Sequence, residues 1–250
     1  MIVIWLALAL AQDPEDFRED IGGGAVVNWT TLTLEVSNSA QGRGVGATRK
    51  VVEASARNGL GDQVQSAVAG VRVASELDVN ELLRDPALSE RVESRSARWA
   101  VGATHYYASG RIEVIAELDL LDVLKPYNEH VQHTRPQVVR EPELTGVVID
   151  ARGIGAAPVW APVILAPNER VLWDGGLWHD VAVSTAPVFW LSDPAHPAIV
   201  RVGQDPLIVR AEESGDGTLV LEYMDAVRFR TALEGSDILR SGAIAIIVGP

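Results

Sequence analysis

The run TGVVIDARGIG, residues 145–155, sets Val147, Val148 and Ile149 ahead of an acid, a base and two glycines spaced G-x-G. Three readings compete: a phosphate cradle, a catalytic Asp150/Arg152 pair, or a strand that runs into a turn. A dinucleotide fingerprint needs G-x-G-x-x-G at a strand-to-helix turn, so that a helix N-terminus faces the pyrophosphate. Here the series is Gly153-Ile154-Gly155-Ala156-Ala157-Pro158, and the VWAPVIL that follows is strand-like and holds a second proline. With no helix to supply the N-terminus, the phosphate reading fails. Asp150 and Arg152 lie two apart at a strand end and so point the same way. Charges at the end of a buried strand need partners for desolvation reasons alone, which predicts a structural pair.

Downstream, short apolar runs at 145–150, 159–165, 170–173, 181–191, 198–202, 206–211, 218–223 and 243–248 are punctuated by Pro, Gly, Asn and Asp. That pattern predicts a β-rich domain over 144–250. One helix is expected from Met224 or Asp225 to Leu239, ended by Ser241-Gly242. Upstream, residues 126–143 carry three prolines (Pro126, Pro136, Pro142) and little apolar periodicity, which reads as a linker.

The first half is different in kind. From Val26 to Val36, alternation puts Thr30, Leu32, Leu34 and Val36 on one face and Trp29, Thr31, Thr33 and Glu35 on the other, predicting one strand. Over 47–71, Val52, Ala56, Leu60, Val64 and Val68 recur every four residues with Val71 beyond, the spacing of one helical face. Gly59 and Gly61 weaken the middle of that helix and predict a kink. VRVAS (71–75) is a short strand or turn, and a second helix of mixed charge is expected from Pro86 or Leu88 to Ala100. In THYYASGRIEVIAELDL (104–120), Ser109-Gly110 supplies the turn and Ile112, Val114, Ala116, Leu118 and Leu120 alternate with Arg111, Glu113, Ile115, Glu117 and Asp119: a hairpin with one wet face. The whole is expected to be α+β: an N-terminal antiparallel sheet over 25–125 covered by helices on one face, then the β-rich C-terminal domain.

The net charge of −13 argues against nucleic acid as partner, since binding there rests on Lys and Arg neutralising phosphates. MIVIWLALALA (1–11), followed at once by acidic residues, predicts a signal peptide cleaved after Ala11, export to the periplasm or outer-membrane periphery, and a flexible lead-in over 12–24. Ten apolar residues are too few for a helical span, which needs about 20. The chain has no cysteine, so disulfides, thiol chemistry and a lipid-bearing Cys are all absent, and neither membrane span nor lipid anchor is expected.

No G-x-S-x-G, P-loop or H-E-x-x-H motif occurs, so no catalytic, cofactor-binding or metal residue is assigned and the chain is expected to be no enzyme. His130 and His133 beside Glu129 lack helical i, i+4 spacing and a third ligand, which leaves a solvated pair as the better reading. Asn28-Trp29-Thr30 fits the N-glycosylation pattern but sits inside a strand pattern. In LWDGGLWHD, the residues Trp173, Asp174, Trp178, His179 and Asp180 crowd around two glycines. This is a candidate glycan-binding loop, set against a tight hairpin whose tryptophans pack on the sheet.

The segments VNWTTLTLEV, ATRKVVEASARNGLGDQVQSAVAGVRVAS and YYASGRIEVIAELDL together resemble the domain shared by outer-membrane flagellar lipoproteins of the basal-disk type and the N-terminal region of flagellar assembly protein T. Ala54, Ala56, Leu60, Val64, Val71, Val73, Gly110, Ile112 and Val114 carry the resemblance over residues 25–125. TGVVIDARGIG is similar to a T-G-(apolar)-D-A-R-G segment downstream of this domain in envelope proteins. The resemblance implies exported, ring- or disk-forming, non-catalytic structural work with self-association or envelope proteins as partners. The missing lipidation Cys is a departure from that family. The alternative is a periplasmic or surface glycan-binding module.

Overall fold

The computed structural model describes residues 15–42, 48–75, 77–130, 144–175, 185–234 and 238–249. The fold is α+β. Its first part runs β1 (Arg18–Gly22), β2 (Ala25–Asn28), β3 (Thr33–Gln41), α1 (Arg49–Arg57), α2 (Leu60–Ala69), β4 (Arg72–Ala74), β5 (Leu77–Asp78), α3 (Val79–Leu82), α4 (Pro86–Ser96), β6 (Ala100–Tyr106), β7 (Arg111–Asp119) and α5 (Leu120–His130). Strands in the order β1-β2-β3-β7-β6 make an antiparallel sheet, and β4 and β5 pair separately. The expected alternation sets its faces: Leu34, Val36, Ile112, Val114, Ala116 and Leu118 are buried, and α1 and α2 cover that side with Val52, Ala56, Leu60, Val64 and Val68.

Four elements depart from expectation, each for a local reason. The strand expected over 26–36 is a hairpin. Asn28 Oδ1 accepts the backbone N–H of Thr30 and of Thr31, both at 3.0 Å, and Leu32 takes a positive φ of 61°; this Asx-type turn diverts the chain where alternation alone would carry it straight. The acidic lead-in instead supplies β1, which pairs with β2 from Arg18 to Gly22. The long helix is two, separated at Asn58-Gly59, where Gly59 adopts φ +79°, a conformation that costs a residue with a Cβ about 1 kcal/mol or more. The start of the expected linker is α5, which keeps Pro126 inside it. Leu120, Val123, Leu124 and Tyr127, all buried, recur at i, i+3, i+4 and i+7, and that stripe outweighs the proline.

The second part contains β8 (Gly146–Asp150), β9 (Val163–Leu165), β10 (Val171–Asp174), β11 (Phe189–Leu191), β12 (Pro206–Gly215), β13 (Thr218–Leu221), α6 (Tyr223–Leu233), α7 (Ile238–Ser241) and β14 (Ile244–Ile247). The sheet order is β10-β9-β13-β12-β8-β14-β11. It is mixed: β8 lies between β12 and β14 and is parallel to both, and β11 and β14 are parallel as well. Burial on both faces explains why β8 and β14 read as unbroken apolar runs. Residues 198–202, expected as a strand, lie in a 3-10 helix over Pro197–Val202. Proline opens that helix and His196 caps it, so the chain is turned before a ladder can form.

One apolar cluster runs through both parts, from Val27 and Leu34 to Trp190 and Ile246. A smaller one, with Val148, Phe189, Leu191, Val202, Ala245 and Ile247, fills the other side of the second sheet. Backbone bonds cross the seam: Trp160 N–H to Arg72 O at 3.1 Å and Ala161 N–H to Val73 O at 2.7 Å. Gly217, in the turn between β12 and β13, sits so close that a Cβ there would lie 2.9 Å from Ser75 N and 3.2 Å from Val159 Cγ1.

Candidate functional site

At the bend that opened the sequence reading, β8 ends at Asp150 and the chain turns through Gly153 and Gly155, both with positive φ. Arg152 Nε donates to Asp150 Oδ1 at 2.8 Å and Nη2 to Oδ2 at 2.6 Å, a two-point pair. The hydrogen bond from Arg152 holds the Asp150 carboxyl below its usual range against the opposing effect of burial. The two groups answer one another at a strand end, with their side chains partly in solvent. Backbone closure of the bend comes from Ala151 N–H to Ile247 O and Gly153 N–H to Gly249 O.

Of the loop proposed for a glycan, Trp173 is fully buried and offers no ring face to a ligand. Asp174 instead helps to shape the interior: burial, and then the charge of Asp174, push the Tyr127 phenol up to about 12. Trp160 Nε1 donates to Asn128 Oδ1 at 3.2 Å in the same region. Trp178, His179, Asp180 and His133 lie outside the described residues, as does the side chain of His130. Glu129 pairs with Arg91.

A polar junction between the two parts escaped the sequence reading. Thr30 Oγ1 donates to Trp190 O at 2.8 Å and accepts from Phe17 N–H at 2.8 Å. Asn28 Nδ2 donates to Asp16 Oδ2 at 2.7 Å, and the other oxygen of Asp16 stands 3.1 Å from His196 Nε2. His196 Nδ1 accepts the N–H of Ala198, which leaves the proton on Nε2 and directs it to Asp16. An acid–histidine pair of this kind resembles catalytic machinery, yet the nitrogen that would act as a base is already occupied by the backbone. Asn28 is buried and triply bonded, so the Asn-Trp-Thr pattern serves the fold. The signal available in the sequence was that motif itself, which on its own reads only as a glycosylation pattern lying within a strand.

Among the described residues, two surface grooves bear on binding. One of about 440 Å³ is lined by Arg72, Asp78, Glu81 and Arg84 among others. Three of its charged residues are matched in place, Arg72 by Glu19, Arg84 by Glu81, and Asp78 by the N–H of Glu81, which it caps, and Asp216 lines it as well. The other, about 380 Å³, lies between α6 and the β9–β10 turn and is lined by Leu172, Tyr223, Ala226 and Val227 with Arg170 and Arg230. Here α6 breaks the ordinary rule for a surface helix. Ala226, Phe229, Ala232 and Leu233 face the core, while Tyr223, Met224 and Val227 are 69%, 61% and 50% exposed. Tyr223 and Val227 step four apart along the outer side with Met224 beside them, so the first turns of α6 carry an apolar outer stripe too. A helix that is apolar on both sides calls for cover on both. Arg228 and Arg230 flank the stripe, tied to Asp225 and Glu234.

Residues 146–250 match the family model of the second domain of Treponema pallidum Tp0624. The match starts at the first residue of β8, so it takes in the whole second sheet and none of the first. No curated protein matches the chain.

Proposed function

We propose that the chain is an exported, non-catalytic structural or assembly protein of the bacterial cell envelope, one that works by self-association or by packing against envelope proteins. The carrying observation is the exposed apolar group on the outer side of α6, Tyr223, Met224 and Val227, with a largely apolar groove beside it that Arg170 and Arg230 border. Such surfaces mark protein contacts more often than small-molecule sites, which converge several polar groups on one point. The acidic chain and the resemblance of residues 25–125 to flagellar basal-disk lipoproteins and flagellar assembly protein T point the same way, with the flagellar periphery as the setting to examine first. Sedimentation velocity of the purified chain over micromolar concentrations, together with cross-linking in intact cells, tests the proposal. Association with itself or with an envelope protein is expected. A monomer at every concentration that joins no envelope protein in cells overturns it.

A further inference from the structure

We infer that the outer edge of β6 pairs with the same edge of a second copy, antiparallel about a two-fold axis at His105, so that two five-stranded sheets join into one. The inference rests on the assembly reading and names one contact within it.

The outer edges of the two larger sheets are not alike. The strands β1 and β6 end one sheet, β10 and β11 the other. On β1 three successive charges, Arg18, Glu19 and Asp20, guard the edge. β11 already meets Asp16 through Leu191 and Trp29 through Trp190. β10 has four residues and a break in register. By contrast β6 is seven residues, AVGATHY, without a charge or a proline. An irregularity between Val101 and Ala103 twists its first half away, which leaves Ala103 to Tyr107 as the open stretch.

The backbone fixes what docks there. Tyr107 N–H donates to Arg111 O at 2.9 Å, and bonded and unbonded pairs alternate along an antiparallel ladder. His105 therefore turns its N–H and C=O to β7, while Thr104 and Tyr106 point theirs away from the sheet. Among the described residues no hydrogen bond reaches those outward groups, and α1 packs inboard, over β3 and β7. Such a row accepts an extended strand.

A second β6 is the strand that fits. It is already held straight by its own β7, so it avoids the ordering cost that a free peptide carries. The two-fold register sets Thr104 against Tyr106 of the second copy and Ala103 against Tyr107, small against large, with no like charges opposed. That neutrality counts in a chain of net charge −13, whose copies repel elsewhere. An acidic segment would instead come alongside Glu113 and Glu117 of β7. Both tyrosines are held in place beforehand, Tyr106 by Glu53 and Arg49, Tyr107 by Glu113 and Arg111.

Because the chain has no cysteine, one placed on the axis reports the contact directly. His105 and its copy form an unbonded antiparallel pair with Cα atoms about 4.5 Å apart, within disulfide reach. The full chain carrying His105→Cys, oxidised at about pH 8, is expected to give a disulfide-linked dimer at least about tenfold faster than Ser39→Cys, an exposed site on the same sheet face away from the edge. Adding Thr104→Pro removes an outward N–H and spares the β7 ladder, so it is expected to return the rate to that of Ser39→Cys. Should circular dichroism show that variant unfolded, Ala103→Lys puts a charged guard on the edge and has the same expected effect. Equal rates at His105 and Ser39, or a His105 rate that the blocking variant does not slow, overturn the inference. So does a His105→Cys chain that cross-links in cells to a different protein in preference to its own copy. Where the wild type still associates in sedimentation or joins an envelope protein in cells, the assembly reading survives that failure. A wild-type monomer that joins nothing overturns both.

Discussion

The two sheets solve the same burial problem in different ways. The five-stranded sheet is antiparallel with one dry and one wet face, and its central strands β3 and β7 alternate residue by residue. In the seven-stranded sheet β8 and β14 are parallel and covered on both sides, so they carry apolar residues without interruption. Alternation encodes which side faces the core; an unbroken run encodes only depth. The wet face of the first sheet is consequently free to carry a charge pattern, whereas β8 and β14 in the second sheet can present chemistry only at their ends.

If the shared apolar cluster makes one cooperative unit of the two sheets, Trp190→Ala breaks both together. Trp190 is fully buried, its Nε1 donates to Val159 O at 3.0 Å, and its carbonyl takes the Thr30 hydroxyl. The expected loss is about 3–5 kcal/mol in urea unfolding, with a single transition by circular dichroism and by tryptophan fluorescence. Two separate transitions would show that the sheets fold apart.

A smaller effect comes from the interior near the seam. With its pKa raised from 10.0 to about 12, Tyr127 holds its proton better folded than unfolded. Its contribution to stability is therefore complete below pH 10 and is lost as pH rises through the folded value, a fall of about 2–3 kcal/mol. Tyr127→Phe is expected to flatten that alkaline slope, followed by tyrosinate absorbance and unfolding together; an unchanged slope would place the phenol in water.

The smallest effect belongs to the strand end. Asp150 has a lowered pKa, so the stability it lends is present above the ordinary carboxylate range and disappears as pH falls through the lowered value. Asp150→Asn is expected to lower neutral-pH stability slightly and to soften the acid limb of the melting-temperature profile by the same small amount, with both differences shrinking in salt. A large loss at neutral pH would mean that the pair does more than close the bend.

Much of this was legible in the chain. The β6–β7 hairpin, the helical stripe from Val52 to Val68 and the Asp150/Arg152 pair each follow from contacts within a few residues, where period and spacing speak directly. What was not legible depended on the bonds that particular side chains make, some of them local and some across the fold. Asn28 turns the chain at Trp29–Leu32 through its own side chain, and α5 is held by a stripe whose partners lie on other elements. The 3-10 helix needs His196 as its cap, and His196 is held in turn by Asp16 from the far end of the chain. Pairing direction in the second sheet had no local signature at all. The outer stripe of α6 was visible as apolar letters, but apolar letters on a helix read as core until the other side is seen to be core already.

Gly217 has a mechanical meaning. Where the β12–β13 turn meets Ser75 there is not space for one methyl group, so any side chain in place of Gly217 would have to wedge the turn away from the end of β4. The residue without a side chain thus sets how near the two sheets stand at that point.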